Sequence, residues 1–332
     1  MSLRVPIIWL FALFLLASCS SNEASDRITF NMGWLPQGSV GGVIVAHEKG
    51  YFREAGLDVS LARGFGGIRT VNEVDRGLFQ FGYGDPVAVA LNRSKGGHTK
   101  LIGAVNKQWP AGLCHVAGRR DLRWPADLEG LTIGGGTGSP IQVLLPLLLK
   151  RNGVDPAKVR ILEMDPAVID VSLVRGVIDA AECWRGSNKA VVELYARRAD
   201  ATIAVMGYEQ FKLDMYGSGI VASQAYLDKQ PETARKFLAA VYKGYRWAAA
   251  HPGEAADIVA RRYPGTDKDV VRQQIEETVA LMGPDDSIGR FDPEQMRQTA
   301  DFLSDAYRLD TPIAASDIYS NAYLPDLKQE KE

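Results

Sequence analysis

The sequence has few of the residues that build metal centres, and those few are scattered. Only three cysteines and four histidines occur in 332 residues, and none of the histidines has a second histidine or a cysteine at ligand spacing. Metal sites of the zinc type need three or four such ligands close together. We therefore expect no bound metal and no cofactor. The histidines are His47, His98, His115 and His251.

An excess of charge of one sign is also missing. The chain has 38 basic and 40 acidic residues, which leaves a formal net charge of −2. Proteins that bind nucleic acid need a basic surface to neutralise phosphates. The balance of charge therefore removes nucleic acid from the expected partners.

The apolar run at the N terminus is too short for a membrane span. It covers residues 5–16, after Arg4, whereas a helix needs about 20 apolar residues to cross a bilayer. The run ends in Leu16-Ala17-Ser18-Cys19, which resembles a bacterial lipobox and implies cleavage before Cys19 and acylation of its thiol. A plain secretory peptide is the alternative.

Export follows from either interpretation of the N terminus. Residues 1–18 are predicted to be a signal peptide, and the short polar stretch 19–26 is predicted to be a lipidated tether. We expect a protein of the cell envelope that is anchored to a membrane through Cys19 and faces the periplasm or the cell exterior. Beyond Cys19 only Cys114 and Cys183 remain. An oxidising compartment permits them to pair, but spacing alone does not show a disulfide, and two buried thiols are the default expectation.

Short β-rich runs alternate with helical stretches through the first two thirds of the chain. Past Tyr216 one short strand precedes helices only. Strand-helix alternation requires crossover connections, so we expect α/β architecture with largely parallel or mixed sheets. The strands are predicted at residues 28–32, 57–61, 80–83, 131–133, 159–164, 177–183, 202–205 and 220–222. The helices are predicted at residues 40–49, 68–76, 86–91, 140–151, 167–175, 187–197, 231–250, 254–262, 268–281 and 293–307.

The helix over residues 140–151 has a clear start signal. Ser139 is a favourable N-cap, and Pro140 lies at the first turn, where its missing N–H costs nothing. Apolar residues then recur with helical periodicity, which predicts a buried stripe. The glycine turn 134–139 before this helix offers backbone amides for a polar or anionic group.

Loops that follow strands carry the candidate site residues, because ligands bind beyond the carboxyl ends of strands in open parallel sheets. Tryptophan rings are expected to stack on a flat ligand, and carboxylates to accept hydrogen bonds from amino groups. The turn at Thr137 and Ser139 would supply amides, and Arg185 would favour a carboxylate or sulfonate. No residue forms a persuasive catalytic nucleophile. The ligand-binding candidates are Trp34, Asp85, Thr137, Ser139, Glu182, Trp184 and Arg185.

Several motifs resemble those of solute-binding proteins of ABC importers, in the NMT1/THI5-like family shared by sulfonate, nitrate and thiamine-pyrimidine binders. They are Gly33-Trp34-Leu35-Pro36 and the segments 43–52, 56–59, 81–85, 128–134 and 176–180, and the segments 289–293, 302–303 and 317–325 resemble the thiamine-pyrimidine branch. The resemblance implies a two-lobed periplasmic binding protein fold of type II, with a two-crossing hinge and a helical C-terminal tail. Residues 27–110 and 217–332 would form lobe 1, and residues 111–216 lobe 2.

The resemblance also implies the partners: a small-molecule ligand, a permease and an ATPase. A small aromatic or heteroaromatic compound is expected as the ligand, with a thiamine-pyrimidine precursor as the first candidate. An organic acid, a sulfonate or nitrate is the alternative that Arg185 favours. The family also contains pyrimidine synthases, which consume their own histidine and carry a cysteine cluster around iron; we expect no enzymatic activity here.

Overall fold

The computed structural model describes residues 26–325, apart from Gly138, Asp285, Asp286 and Asp310, and gives only the backbone of Asp26, Pro166 and Ala167. The expected signal peptide and the acylated Cys19 lie outside the described residues, so both stay predictions.

The first sheet has five strands and mixed direction. Its parallel part contains the first three strands of the chain, and the fourth position is occupied by a strand that runs antiparallel to both of its neighbours. In spatial order the strands are β2 (Leu57–Ala62), β1 (Asp26–Asn31), β3 (Phe81–Gly84), β10 (Gly219–Ser223) and β4 (Thr99–Ala104).

The second sheet repeats this plan. Its three parallel strands are followed by an antiparallel strand in the fourth position and by an edge strand. In spatial order the strands are β7 (Arg160–Met164), β6 (Thr132–Gly136), β8 (Ala180–Trp184), β5 (Ala111–Val116) and β9 (Ile203–Gly207). Each sheet therefore directs the carboxyl ends of three strands towards one edge.

The chain passes between the sheets twice. Residues 105–110 connect β4 to β5, and residues 208–218 connect β9 back to β10. The two crossing segments lie side by side, because the amide of Asn106 donates to the carbonyl of Ser218 at 2.8 Å and the amide of Gly217 donates to the carbonyl of Asn106 at 2.9 Å. This is the two-crossing arrangement that the sequence predicts.

Thirteen helices in the described part of the chain cover the sheets. Those of the first sheet are α1 (Gly41–Glu48), α2 (Tyr51–Glu54), α3 (Gly67–Asp75), α4 (Pro86–Ser94), α8 (Gln224–Lys229), α9 (Pro231–Ala250), α10 (Pro252–Arg262), α11 (Lys268–Met282), α12 (Pro293–Tyr307) and α13 (Ala315–Ile318). Those of the second sheet are α5 (Ile141–Arg151), α6 (Pro166–Arg175) and α7 (Asn188–Arg198). We call the first sheet with its helices lobe 1 and the second sheet with its helices lobe 2.

Each lobe has its own buried core, and further buried contacts join the two lobes. In lobe 1 the rings of Phe81 and Phe237 stack with centroids 4.1 Å apart. The core of lobe 2 also includes Val87 of α4 and Leu303 of α12, which both belong to lobe 1. The two lobes therefore pack directly on one another, and the helical C-terminal region takes part in this contact.

The structure confirms the predicted elements with small shifts at their ends, and it adds β4 and β5, which the sequence did not predict. The expected N-cap at Ser139 is wrong. Pro140 occupies the cap position without a side-chain hydrogen bond, and the hydroxyl of Ser139 bonds to Glu182 instead. Cys114 and Cys183, on neighbouring strands, are joined in a disulfide, which decides between the two alternatives left open above.

None of the helices within residues 26–325, the four omitted positions aside, is both long and apolar enough to cross a membrane.

Candidate functional site

Two buried carboxyl groups come together where the lobes meet. Asp85 follows β3 in lobe 1, Glu182 is the middle residue of β8 in lobe 2, and each of these residues is only 5 % exposed. The charge of Asp85 is close enough to contribute to the pKa of Glu182. The two carboxyls, one from each lobe, are therefore near one another at the lobe boundary.

Asp85 is held by the start of α4. Its Oδ1 accepts a hydrogen bond from the amide of Ala88 at 2.9 Å, which makes it the N-cap of that helix, and Pro86 follows at the first turn. Burial raises the pKa of this carboxyl to about 6, against the opposing effect of the amides of Ala88 and Val87. The other oxygen faces the start of α3, since a Cβ on Gly67 would lie 2.7 Å from it.

Glu182 is held by the turn that precedes α5. Its Oε2 accepts a hydrogen bond from the hydroxyl of Ser139. Burial raises the pKa of Glu182 to about 7, the side chains of Ser139 and Trp184 oppose that shift, and the charge of Asp85 adds to it. Its second oxygen, Oε1, is buried and has no hydrogen-bond partner among the described residues.

An aromatic wall stands beside Glu182. The rings of Trp184 and Trp109 have centroids 5.1 Å apart at an angle of 56°. Tyr208, which follows β9, is only 1 % exposed, and the charge of Glu182 adds to burial in raising its pKa. Sequence reasoning missed Trp109 because it lies between β4 and β5, two strands that were not predicted, and it missed Tyr208 although the strand before it was predicted.

In the turn at Thr137 and Ser139, the described contacts are two amide hydrogen bonds within the chain and one side-chain contact to Glu182. The amide of Thr137 donates to the carbonyl of Met164 at 3.2 Å, and that of Ser139 donates to the carbonyl of Gly136 at 2.9 Å. Thr137 is exposed, whereas Ser139 is half-buried. Both amides are thus engaged within the chain, and the hydroxyl of Ser139 is the group that reaches the carboxyl cluster.

Arg185 lies next to the first crossing segment. Its amide donates to the carbonyl of Pro110 at 3.1 Å, and its guanidinium donates to the carbonyl of Trp109 at 3.4 Å. The charge is therefore close to the aromatic wall, and its contact in this structure is to the backbone.

Trp34 is half-buried on a loop that close backbone contacts fix in place. Its carbonyl accepts from the amide of Gly64 at 2.9 Å, and the side chain of Asn31 accepts from the amide of Gly33 at 3.0 Å. Gly33 has a φ of +74°, and a Cβ there would lie 2.5 Å from the carbonyl oxygen of Tyr83. Only glycine fits this position without strain.

Hydrogen bonds also join the lobes along α11. Glu277 accepts from the amide of Gly186 at 2.7 Å and from the ammonium of Lys189 at 2.8 Å. Gln274 donates to the carbonyl of Ser187 at 2.8 Å, and the hydroxyl of Ser187 donates to Gln37 at 2.9 Å. We call this set of contacts the α11 clasp. It ties the loop after β1 and the loop after β8 across the lobe boundary.

Two surface cavities lie away from the carboxyl cluster, and neither is lined by Asp85 or Glu182. One of about 520 Å³ is lined by polar residues of both crossing segments and of the start of α12, including Lys107, Asp214 and the N-cap Asp292. The other, of about 550 Å³, lies between α5 and the end of α12. No group of three or more potential metal ligands occurs in the part of the chain that the structure describes.

Two α/β lobes that enclose buried carboxyls and aromatic rings define a solute-binding protein with the periplasmic binding protein fold. The chain belongs to the NMT1/THI5-like family, whose model matches residues 37–255.

Similar proteins include binding proteins and an enzyme. The formylaminopyrimidine-binding protein of Halalkalibacterium halodurans is 24 % identical over 331 residues, which cover 94 % of this chain and 96 % of the relative. The 4-amino-5-hydroxymethyl-2-methylpyrimidine phosphate synthase THI13 of Saccharomyces cerevisiae is 23 % identical over 70 % of each chain. The structure of the periplasmic aliphatic sulphonate binding protein SsuA from Escherichia coli superposes with a TM-score of 0.69 at 17 % identity, covering 90 % of this chain and 98 % of that one.

Proposed function

We propose that this protein is the substrate-binding lipoprotein of an ABC importer and captures a small heteroaromatic compound, with a thiamine-pyrimidine precursor as the first candidate. The observation that carries this proposal is the pair of buried carboxyls, Asp85 and Glu182, which interact electrostatically at the lobe boundary, with Trp184 and Trp109 next to Glu182.

Such a pair of carboxyls suits the edge of an aminopyrimidine. That edge presents an amino group, which donates, next to a ring nitrogen, which accepts. An ionised carboxylate accepts from the amino group, and a protonated carboxyl donates to the ring nitrogen. Because the pKa of Glu182 is about 7, both of its forms are present near neutral pH. An uncharged or weakly basic ring is therefore favoured over an anion.

The aromatic residues would recognise the ring of the ligand by stacking. A flat ring gains from stacking on tryptophan, and we assign this contact to Trp34 from lobe 1 and Trp184 from lobe 2. Ser139 orients Glu182 through its hydroxyl, and Thr137 lies on the same turn at the surface. The name of the formylaminopyrimidine-binding relative supports a pyrimidine as the first ligand to test.

Closure of the lobes would complete the site. We propose that residues 27–110 with 217–332 move against residues 111–216 about the two crossing segments. Closing removes water from around the ligand, which strengthens the polar contacts, and it creates a shape that the permease recognises. The acyl chains on Cys19 would hold the receptor at the membrane, facing the periplasm or the cell exterior.

A receptor for an organic acid, a sulfonate or nitrate is the second candidate, and the position of Arg185 beside Trp109 favours it. An anion in the same cleft, however, would lie near Asp85 and Glu182 and would be repelled by each ionised carboxylate. An Arg185→Ala protein distinguishes the two, since an anion receptor loses its affinity and a pyrimidine receptor keeps it.

The cysteines of this chain do not favour the synthase activity for which the yeast relative is named. Cys114 and Cys183 are bonded to each other, so neither offers a thiolate for iron. We expect purified protein supplied with pyridoxal phosphate and iron to form no pyrimidine product, and product formation would establish the enzyme instead.

A thermal-shift screen tests the proposed function. Aminopyrimidines, flavins, aromatic carboxylates and aliphatic sulfonates are compared on the wild type, Asp85→Asn, Glu182→Gln and Arg185→Ala. A ligand at a hundred times its dissociation constant stabilises the native state by about 2.7 kcal/mol. We expect the aminopyrimidines to raise the melting temperature of the wild type and of Arg185→Ala, and to do so less for the two carboxyl variants. Stabilisation by sulfonates alone would overturn the proposal.

A further inference from the structure

We propose that the cavity between α5 of lobe 2 and the end of α12 of lobe 1 is a second binding site, which takes a small alkyl carboxylate. Its volume of about 550 Å³ lies within the range of about 300–1,000 Å³ that is usual for small-molecule sites. We call it the α5–α12 cavity. None of the ligand-binding candidates from the sequence lines it, so the inference does not depend on the ligand proposed for the cleft.

The wall that α5 contributes to the cavity is largely apolar. Val143, Pro146 and Leu147 line it, and all three are only half-buried, so each keeps apolar surface in contact with water. Pro146 lies inside the helix, where a proline has no backbone N–H to offer. Ala306 of α12 adds apolar surface from the other lobe. An alkyl chain would cover this surface, and removing apolar area from water is favourable.

Charged side chains of both helices line the same cavity, and positive charge is in excess. Nη2 of Arg151 lies 3.0 Å from Oδ2 of Asp305 in the opposite lobe, which makes an ion pair. Lys150 and Arg308 also line the cavity, and neither forms an ion pair with another described residue. Three positive charges and one negative charge leave a net charge of +2 among the lining residues. This excess favours an anion.

The two features together define the chemical class of the ligand. The guanidinium of Arg151 is already engaged, by Asp305 and by the ring of Phe302, whose centroid lies 4.5 Å away. Lys150 and Arg308 are left to donate to a carboxylate, and hydrogen bonds between charged groups are the strong ones. An alkylammonium would be repelled by the same charges, and a carboxylate without a chain would leave the apolar wall uncovered.

The helices that form the cavity also lead to the two carboxyls of the cleft. The start of α5 follows Ser139, whose hydroxyl bonds to Glu182. The end of α12 is Tyr307, whose hydroxyl donates to the carbonyl of Val87 at 3.1 Å, in the helix that Asp85 caps. An occupant of the cavity would contact both lobes at once. It would therefore favour the arrangement of the lobes in this structure over any in which α5 and α12 are apart.

Calorimetric titration with octanoate tests the site, and octylamine and butanoate are the matched probes. Octylamine has the same chain with the opposite charge, and butanoate has the same charge with a shorter chain. We expect octanoate to bind at least about tenfold more tightly than either, because four further methylenes leave water and the sign of the charge is right. Failure of octanoate to bind would overturn the proposal, and so would octylamine or butanoate binding as tightly.

Lys150→Gln combined with Arg308→Gly removes the two charges that have no ion pair. Arg308 has a φ of +50°, which glycine adopts without strain, so the fold should tolerate the change. We expect the affinity for octanoate to fall about tenfold, since an exposed ion pair is worth roughly threefold. An affinity equal to that of the wild type would contradict the assignment of these charges to the site.

The matched control is Lys212→Gly. Lys212 is also basic and exposed, has a φ of +59°, and does not line the cavity. Its variant should bind octanoate as the wild type does, and a loss equal to that of the double variant would overturn the proposal. Sedimentation of the ligand-free protein tests another occupant: a dimer that the double variant dissociates would assign the cavity to a second copy of the chain and overturn the carboxylate site.

Discussion

Asp85 follows β3 of the first sheet and Glu182 lies on β8 of the second, and the charge of Asp85 adds to the effect of burial in raising the pKa of Glu182. Asp85 caps α4, and Glu182 accepts a hydrogen bond from Ser139, which precedes α5. Each lobe thus contributes one buried carboxyl, and the two are close enough to interact electrostatically. The following predictions concern these carboxyls and the parts of the structure around them.

The stability of the ligand-free protein should fall as the pH rises from about 4.5 to 7. Burial raises the pKa of Asp85 from 3.8 to about 6 and that of Glu182 from 4.5 to about 7, so the folded state holds these protons more tightly than the unfolded state does. The resulting stability is fully present below the unfolded pKa and is lost as the pH passes through the folded pKa. For Glu182 this amounts to roughly 3 kcal/mol.

Glu182→Gln should remove its share of this dependence, because glutamine does not titrate. Urea unfolding at pH 5 and pH 8 measures the difference in the free energy of unfolding between the two conditions. If the free energy of unfolding changed by the same amount between pH 5 and pH 8 in the wild type and in the variant, Glu182 would not be a source of the pH dependence. Asp170→Asn is a useful comparison. Burial also raises the pKa of Asp170 to about 6, and Asp170 is not one of the two carboxyls Asp85 and Glu182.

Loss of the disulfide should destabilise lobe 2. The bond links Cys114 of β5 to Cys183 of β8 across 69 residues of sequence, and closing a loop of this length reduces the entropy of the unfolded chain by an amount that corresponds to about 4 kcal/mol. We expect Cys114→Ser with Cys183→Ser to lower the urea midpoint. The wild type in reductant should then resemble the double variant, and an unchanged midpoint in both would contradict the prediction.

The α11 clasp should slow the release of ligand. Glu277 accepts from Gly186 and Lys189 of the opposite lobe, and hydrogen bonds to charged groups contribute about 1.5–3 kcal/mol. Glu277→Ala should therefore raise the ligand dissociation rate about tenfold in stopped-flow fluorescence. Glu276→Ala is the matched control, because Glu276 is the preceding residue of the same helix and is exposed. Equal rates for the two variants would show that the clasp has no part in closure.

Gly33→Ala should disturb the Trp34 loop and destabilise the protein more than the same substitution at another glycine with a positive φ. Gly33 and Gly56 have φ values of +74° and +76°, but only Gly33 faces another backbone atom, the carbonyl oxygen of Tyr83. The backbone conformation costs about 1 kcal/mol for alanine at either position. The additional loss of stability in Gly33→Ala, measured by thermal unfolding against Gly56→Ala, reports the close approach. No difference between them would contradict it.

The parallel strands and their helices could be predicted because their signals are local. The strand predicted at residues 57–61 alternates buried and exposed positions in the structure, and the helix predicted at residues 293–307 has the same bounds. The strands β4 and β5 were missed. Every residue of β5 is buried, so its side chains show no alternation between apolar and polar, and its antiparallel pairing depends on β8 and β9, which are distant in sequence.

In the candidate site, too, residues with a local sequence signal could be predicted, and contacts between residues distant in sequence could not. Asp85 and Glu182 could be selected because both follow or end strands, but the role of Ser139 was assigned wrongly. A serine before Pro140 is a local signal for an N-cap, whereas its actual partner, Glu182, is 43 residues away. Trp109 carries no local signal, because the strands on both sides of it were not predicted. Tyr208 follows a predicted strand and could have been selected by the same rule as Asp85.

A crystal structure of the protein with an aminopyrimidine tests the central claim most directly. The account predicts the ring between the lobes, beside Trp184, with its amino group within hydrogen-bond distance of Asp85 or Glu182. A ligand bound at Arg185 through a negatively charged group, or on a surface away from both carboxyls, would contradict the account.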